Sequence, residues 1–435
     1  MKIGAISLGC DKNRVDTEKM LSRLVESGHT LVGSEQDADV IIVNTCAFID
    51  SAKEESIDEI LNAINAKNQD SHKKVIVTGC LAQRYADTLK QEFPEVDAIL
   101  GIADYDKIAD TLNQVESGKR VQCCANLDKF YGGRVLTTPY HYAYLKIADG
   151  CNNHCTYCAI PSIRGKFRSE KLEDLLKEAK TLSDDGVKEL ILVAQDVTRY
   201  GTDFDGKPHL IELLDELSKL DFEWIRMLYL YPEMVDDTLI EYIKSNPKVV
   251  KYVDIPLQHI DDNVLKRMNR RTNEKSVREL ISKLKNAGIA VRTTFICGFP
   301  GESNEQFEKL KAFVKEVEFD YAGFFAYSRE EGTPADRLDG HLPEEIKAQR
   351  ANELCAIQAD IIAKRNENRI GDIVTVIYDD IDYDRQAFVG RMAIQAPDID
   401  NVVYFTAEDS LQIGEFYNVE IVGADSIDLV GRVVQ

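Results

Sequence analysis

The chain has 435 residues, with 53 Lys and Arg against 75 Asp and Glu and a formal net charge of −22. That length predicts two or three domains, and the charge has the wrong sign for a general nucleic-acid binder, whose affinity comes from Lys and Arg on phosphates. No apolar run approaches the length needed to cross a bilayer. The opening residues read as a strand and turn rather than a secretory leader. The expectation is a soluble, cytoplasmic protein whose ten cysteines serve metal binding or catalysis before disulfides.

Residues 1–117 alternate strand and helix patterns. Strands are predicted at 2–8, 40–45 and 74–79, with helices running to Leu24 and from Ser51 to Ile64. Continuous β-branched runs between amphipathic helices predict a doubly wound parallel α/β domain. Each predicted strand leads into a cysteine, Cys10, Cys46 and Cys80, and such sheets build their ligand crevices at carboxyl strand ends. One such cysteine reads as an ordinary core residue; the same placement three times reads as a ligand set for an iron-sulfur cluster. Cys123, Cys124, Cys297 and Cys355 show no ligand spacing and read as structural. Residues 118–138 carry little periodicity and read as a connector.

A second domain is predicted over 139–368. Strand patterns at 142–148, 188–195, 225–231, 252–258, 291–297 and 321–327 alternate with helical ones, such as 171–180 and 275–285. Six strand-helix repeats predict a partial (β/α)6 barrel with its reactive groups at the carboxyl strand ends. After the first of these strands come Cys151, Cys155 and Cys158, a C-x3-C-x2-C triplet. Three thiolates at that spacing suit three irons of a 4Fe-4S cube and leave the fourth open, whereas a cluster that only carries electrons usually has four cysteines. S-adenosylmethionine is a candidate ligand for the open iron, through its amino and carboxylate groups. Zinc prefers four N or S ligands and paired C-x2-4-C units; His154 would complete a Cys3His set, so zinc stays open on these residues alone. Polar or glycine-rich phrases follow later strands, and Gln195, Gln258 and Glu302 within them are candidate contacts to ribose, amine or carboxylate groups.

A long charged helix is predicted from Glu344 to Asn368. Residues 369–435 then carry short alternating runs at 374–378, 386–392, 402–406 and 416–423, which predict a small antiparallel barrel of OB-like type. Over 371–435 only Arg385, Arg391 and Arg432 stand against thirteen acids, a net charge of −10. Such a barrel attracts cationic protein surfaces and repels phosphate backbones. The acidic run 379–384 reads as a solvated hairpin.

End to end, the chain resembles the radical S-adenosylmethionine methylthiotransferases, which combine an N-terminal domain with three scattered cluster cysteines, a radical core and a C-terminal TRAM barrel. Within that family it resembles the RimO type, which modifies an aspartate of ribosomal protein S-twelve. The phrases carrying that likeness are Ser7 to Asp16, Cys151 to Gly165, and Asp254 to His259. The branch acting on isopentenyl-adenosine in transfer RNA typically shows Gly-Cys-Gln-Met-Asn at the first cysteine, and the acidic barrel also argues against RNA. The resemblance implies two 4Fe-4S clusters, one on Cys151, Cys155 and Cys158 and one on Cys10, Cys46 and Cys80. It further implies S-adenosylmethionine as both radical source and methyl donor, with Tyr157, Gln195, Gln258 and Glu302 near its pocket. The expected partners are ribosomal protein S-twelve, free or in the small subunit, and a one-electron donor such as flavodoxin or ferredoxin. No sulfur donor, membrane or strong nucleic-acid partner is implied. A non-catalytic iron-sulfur assembly or electron-transfer protein is the rival from another class, and it makes poor use of two incompletely ligated clusters.

Overall fold

The computed structural model describes residues 1–102, 104–124 and 133–434. By its contacts the chain forms two units. The first comprises Met1–Thr137, Asp149–Arg168 and Ser328–Asp336; the second comprises Thr138–Ala148, Ser169–Tyr327 and Arg337–Gln435. The triplet segment thus packs within the N-terminal unit, although in sequence it follows the first strand of the central region.

In the first unit the strands Lys2–Ser7, Val40–Thr45 and Lys74–Gly79 form the middle of a six-stranded, wholly parallel sheet. Thr30–Leu31 flanks the first of them, and Ala98–Leu100 and Val121–Cys123 extend the other side. Every residue of Val40–Thr45 is buried, as expected of a strand covered on both faces. Val121–Cys123 falls inside the segment read as a connector, where three residues are too few to show a period. The middle of that segment, residues 125–132, lies outside the described residues. The chain leaves the first strand in one direction and returns on its other side, so a topological switch point lies between Lys2–Ser7 and Val40–Thr45. Doubly wound sheets bind ligands at that crevice.

In the second unit Tyr142–Lys146, Glu189–Val193 and Trp224–Met227 form one parallel three-stranded sheet, and Tyr252–Asp254, Ala290–Cys297 and Tyr321–Ala326 form another. An isolated bridge between Ile225 and Val249 links them. Six parallel strands in chain order give the expected partial barrel. Residues 255–258 leave the strand pattern at Pro256, which cannot donate to a ladder.

The C-terminal part of this unit is a closed five-stranded barrel of Ile373–Asp382, Ala387–Met392, Val403–Thr406, Asp428–Val433 and Phe416–Asp425. Its pairings are antiparallel except Val403–Thr406 with Asp428–Val433, which is parallel. Closing an odd number of strands into a ring requires at least one parallel neighbour. The barrel meets the (β/α) part through buried charges. Arg391, which is 2% exposed, lies 2.8 Å from Glu189 and 2.7 Å from Asp379. Arg226 lies 2.7 Å from Glu189, and His141 Nε2 lies 2.7 Å from Asp379. The barrel's surface is therefore not the simple sum of its charged residues: the Arg391 and Asp400 side chains are buried and Asp379 is half-buried. Among the described residues no helix is long and apolar enough to cross a membrane.

Candidate active site

The three N-terminal cysteines sit where strands become helices. Cys10 caps the helix Asp11–Glu26, and Cys80 is the first residue of the helix Cys80–Glu92. Helix N-termini favour thiolates, because unsatisfied N–H groups and the macrodipole place positive potential there. Cys46 follows Val40–Thr45 in a loop held by Ser56, whose hydroxyl accepts from Cys46 N at 2.9 Å and donates to Cys46 O at 3.1 Å. The register aligns Ser7 with Asn44 and Asn44 with Thr78, so all three cysteines lie just beyond one level of the sheet.

Two glycines make this convergence possible. Gly9 has φ +89°, and a Cβ built there would lie 2.9 Å from Cys46 Sγ; Gly79 has φ +95°, and a Cβ there would collide with Asn44 and the Thr45 backbone. Positive φ and absent side chains let the Cys10 and Cys80 turns close against the Cys46 loop. Burial pushes the Cys46 thiol up to about 12, and the nearby Cys80 and Cys10 add to the rise. Burial likewise raises Cys80, opposed by the guanidinium of Arg164. Cys46 and Cys80 thus resist ionisation when bare, and a bound cation would take them as thiolates.

Polar groups around them are left unsatisfied. Among the described residues, Thr78 Oγ1, Asn44 Oδ1 and Tyr105 Oη are buried without a hydrogen-bond partner. Such atoms in a native interior call for an explanation such as a bound group. The donor set, the glycine cradle and these atoms fit a 4Fe-4S cluster. No three His, Cys, Asp or Glu side chains among the described residues are grouped to hold a single metal ion; a cube instead takes its thiolates at three different irons.

The triplet lies in the same unit. Cys155 is buried and Cys151 and Cys158 are half-buried. The loop folds back on itself: Cys151 N donates to Gly165 O at 3.1 Å, and Cys158 N donates to Cys155 O at 3.1 Å. Gly150, with φ +75°, has the Gly165 and Lys166 carbonyls where a Cβ would go. Ala335 N donates to Thr156 O at 2.8 Å, so the loop Ser328–Asp336 braces the triplet. The same loop carries buried Glu330, paired with Lys53 and Arg84 at 3.0 Å each. Arg84 also donates to Ala47 O, beside Cys46.

One residue joins the two cysteine sets. Arg164 ends the helix Ile160–Arg164 and is 1% exposed. Its Nη1 lies 3.0 Å from both Asp16 and Asp149, and its Nη2 lies 3.3 Å from Asn13 Oδ1 and 3.6 Å from Cys80 Sγ. Sequence reasoning missed Arg164, Asp16 and Asn13. A signal was present in the run Lys12 to Lys19, where a helix flanking a sheet should show an apolar stripe and instead buries Asn13, Asp16, Thr17 and Glu18.

Of the other candidates, Tyr157 belongs to the triplet loop and the rest to the second unit. Tyr157 is half-buried in the first unit. In the second unit, Gln195 lies two residues beyond Glu189–Val193. Gln258 holds φ 72°, an uncommon conformation for a non-glycine residue, fixed by its N–H to Thr294 O at 2.8 Å and by Ile296 N to its carbonyl at 2.9 Å. Glu302 is engaged by its own loop: it accepts from Gly298 N at 2.9 Å and pairs with Arg350 at 2.6 Å, with His259 Nε2 at 3.6 Å.

Comparison with known proteins places this geometry. The model described as Radical SAM superfamily matches residues 145–314, that described as Uncharacterized protein family UPF0004 matches 2–101, and that described as TRAM domain matches 370–434. The ribosomal protein uS12 methylthiotransferase RimO of Clostridium tetani is 47% identical over 100% of this chain and 98% of its own length. Those of Clostridioides difficile and Acetivibrio thermocellus are each 46% identical over 100% of this chain and 99% and 98% of theirs. The chain belongs to the RimO family. It is a radical S-adenosylmethionine methylthiotransferase, an iron-sulfur enzyme that uses S-adenosylmethionine. Among solved structures, the radical S-adenosylmethionine methyltransferase TsrM from Kitasatospora setae superimposes with a TM-score of 0.55 at 13% identity, over 77% of this chain and 76% of that one. The cobalamin-dependent radical enzyme OxsB does so with 0.51 at 12% identity, over 82% and 56%. At those identities the likeness concerns the fold alone. Transfer RNA as substrate is not favoured by these relatives.

Proposed function

We propose that this RimO-family chain methylthiolates the β-carbon of an aspartate in ribosomal protein S12, in the cytoplasm, with two 4Fe-4S clusters. One cluster is assigned to Cys151, Cys155 and Cys158 and the other to Cys10, Cys46 and Cys80. The observation that carries this reading is the presence of two three-cysteine sets in one packed unit, bridged by buried Arg164. The relatives' names supply the substrate, and the acid-rich barrel suits a basic protein partner.

When bound, the reduced triplet cluster would supply the electron that splits S-adenosylmethionine to a 5'-deoxyadenosyl radical, able to abstract hydrogen from a carbon that no acid-base group can deprotonate at neutral pH. The chain's own residues do the rest. Gly150 and the Cys151–Gly165 hydrogen bond hold the triplet loop in shape, and Gly9 and Gly79 admit a second group against Cys46. Tyr157, Gln195 and Gln258 are assigned to the S-adenosylmethionine pocket; Glu302 shapes that pocket by fixing Gly298. The domains are assigned as 1–117, the connector 118–138, the radical core 139–368 and the TRAM barrel 369–435. Flavodoxin or ferredoxin would deliver the electrons.

The test is mass spectrometry of anaerobically reconstituted enzyme with S-adenosylmethionine, dithionite and sulfide, offered S12 and bulk transfer RNA in parallel. A methylthio gain on an S12 aspartate with unmodified RNA is expected. A methylthio-adenosine with unmodified S12 would overturn the substrate. Cys10→Ala, Cys46→Ala and Cys80→Ala should each keep S-adenosylmethionine cleavage and lose thiolation.

A further inference from the structure

Arg164 lies six positions beyond Cys158 in sequence, yet its guanidinium is buried against Cys80, Asn13 and Asp16 of the N-terminal domain. Within the triplet segment Arg164 pairs with Asp149, while the backbone closure comes from Gly150 and the Cys151–Gly165 hydrogen bond. A guanidinium held this far from water requires partners, since an unpaired buried charge is costly. It has two carboxylates, Asp16 and Asp149, and it turns its remaining donors to Asn13 Oδ1 and the Cys80 sulfur. The unpartnered Tyr105 hydroxyl belongs to the same buried group, and its ionisation is pushed well up by burial and by the nearby Asp16.

We propose that Arg164 is a positioning residue that couples the two cysteine sites, carrying from the triplet segment the positive charge that sets the reduction potential of a cluster on Cys10, Cys46 and Cys80. This rests on the two-cluster reading above. The physical ground is that cluster potential follows local charge and hydrogen bonds to sulfur. Reduction adds one electron; a guanidinium beside a ligand sulfur stabilises that negative charge, and it screens the carboxylates of Asp16 and Asp149, which oppose it. Because Arg164 is borne by the segment that holds the other cluster, disorder in the triplet loop would withdraw the charge and make the second cluster harder to reduce.

The test uses the full chain carrying Cys151→Ala, Cys155→Ala and Cys158→Ala, reconstituted with iron and sulfide, so that only the N-terminal site is filled. Iron analysis is followed by a dithionite titration monitored by electron paramagnetic resonance. Adding Arg164→Met should lower the one-electron reduction constant at least tenfold, about 59 mV, without loss of iron, and Arg164→Lys should restore most of it. If Arg164→Met fails to fold, Asp16→Asn/Arg164→Met compared with Asp16→Asn alone carries the same comparison with one fewer stranded carboxylate. Bound iron with a reduction constant within twofold of the parent overturns the proposal alone. A parent triple variant that binds no iron overturns the two-cluster reading and this proposal with it.

Discussion

Replacing Arg391 by Met should loosen the C-terminal barrel from the (β/α) part without unfolding either. The guanidinium donates to Asp379 at 2.7 and 3.0 Å, to Glu189 at 2.8 Å and to the Gln395 carbonyl at 3.2 Å. Removing one member of a buried pair typically costs 3–5 kcal/mol, because the other charge is stranded. Here each carboxylate keeps a second partner: Glu189 retains Arg226, and Asp379 retains His141. The lower end of that range, about 3 kcal/mol, is the reasonable value. It corresponds to roughly a hundredfold rise in the open population of this contact. Hydrogen exchange of the segment Met392–Ala396 reads it directly, since Met392 N donates to Gln395 Oε1 and the Ala393 carbonyl accepts from Arg226. Local opening governs exchange under native conditions. These amides should exchange about a hundredfold faster in the variant, while the strand Glu189–Val193 keeps its protection. Exchange within about threefold of the parent, below 1 kcal/mol, would refute the idea that the buried ions hold the barrel in place.

The same charges set a pH dependence. Burial alone would raise Glu189 and Asp379, but Arg226 and Arg391 outweigh it at Glu189, and Arg391 and His141 at Asp379, so both carboxyls lie below their ordinary values. Their stabilisation is therefore full above the ordinary carboxylate pKa and disappears as pH falls through the depressed values. Asp400 has the opposite sign: burial raises it, and Arg292 offsets only part of the rise. Its contribution is present below the ordinary pKa and is lost as pH climbs through the raised one. Asp400→Asn should flatten the dependence of the unfolding temperature above about pH 4 and leave the acid limb unchanged; calorimetry across pH checks both. Gly9→Ala places a methyl against Cys46 Sγ at a positive φ. It should reduce bound iron from about eight to about four per chain with the triplet's S-adenosylmethionine cleavage kept, and full iron loading would count against the cradle.

Much of the fold could be read in the chain because its periods are clean. The strand Val40–Thr45 is apolar on both faces, so its parallel, doubly covered setting follows from the residues alone. The placement of Cys10, Cys46 and Cys80 was equally legible, since each sits one or two residues beyond a predicted strand. The sheet order was not, because Thr30–Leu31 and Val121–Cys123 are two and three residues long, too short for a period of two to register. Nor could alternation reveal the parallel pairing of Val403–Thr406 with Asp428–Val433, for side chains alternate alike in both directions.

Apart from Asn13, the residues that escaped sequence reading share one physical property: they are charges with a partner distant in the chain. Asp16 and Arg164 are 148 positions apart, and Glu189 and Arg391 are 202 apart. Composition assigns such residues to the surface, because a charge is rarely buried unless paired, and pairing over that separation leaves no local pattern. Arg391, one of the barrel's three cations, is such a residue, with its side chain only 2% exposed. Its burial removes one cation from the solvent face, and that of the Asp400 side chain removes one acid. What remains outside is still strongly acidic, which suits a basic protein partner. The position of Arg164 arises only on folding: a charge carried by the triplet segment lies against a cysteine on another strand end, and that contact belongs to the packed unit rather than to either motif.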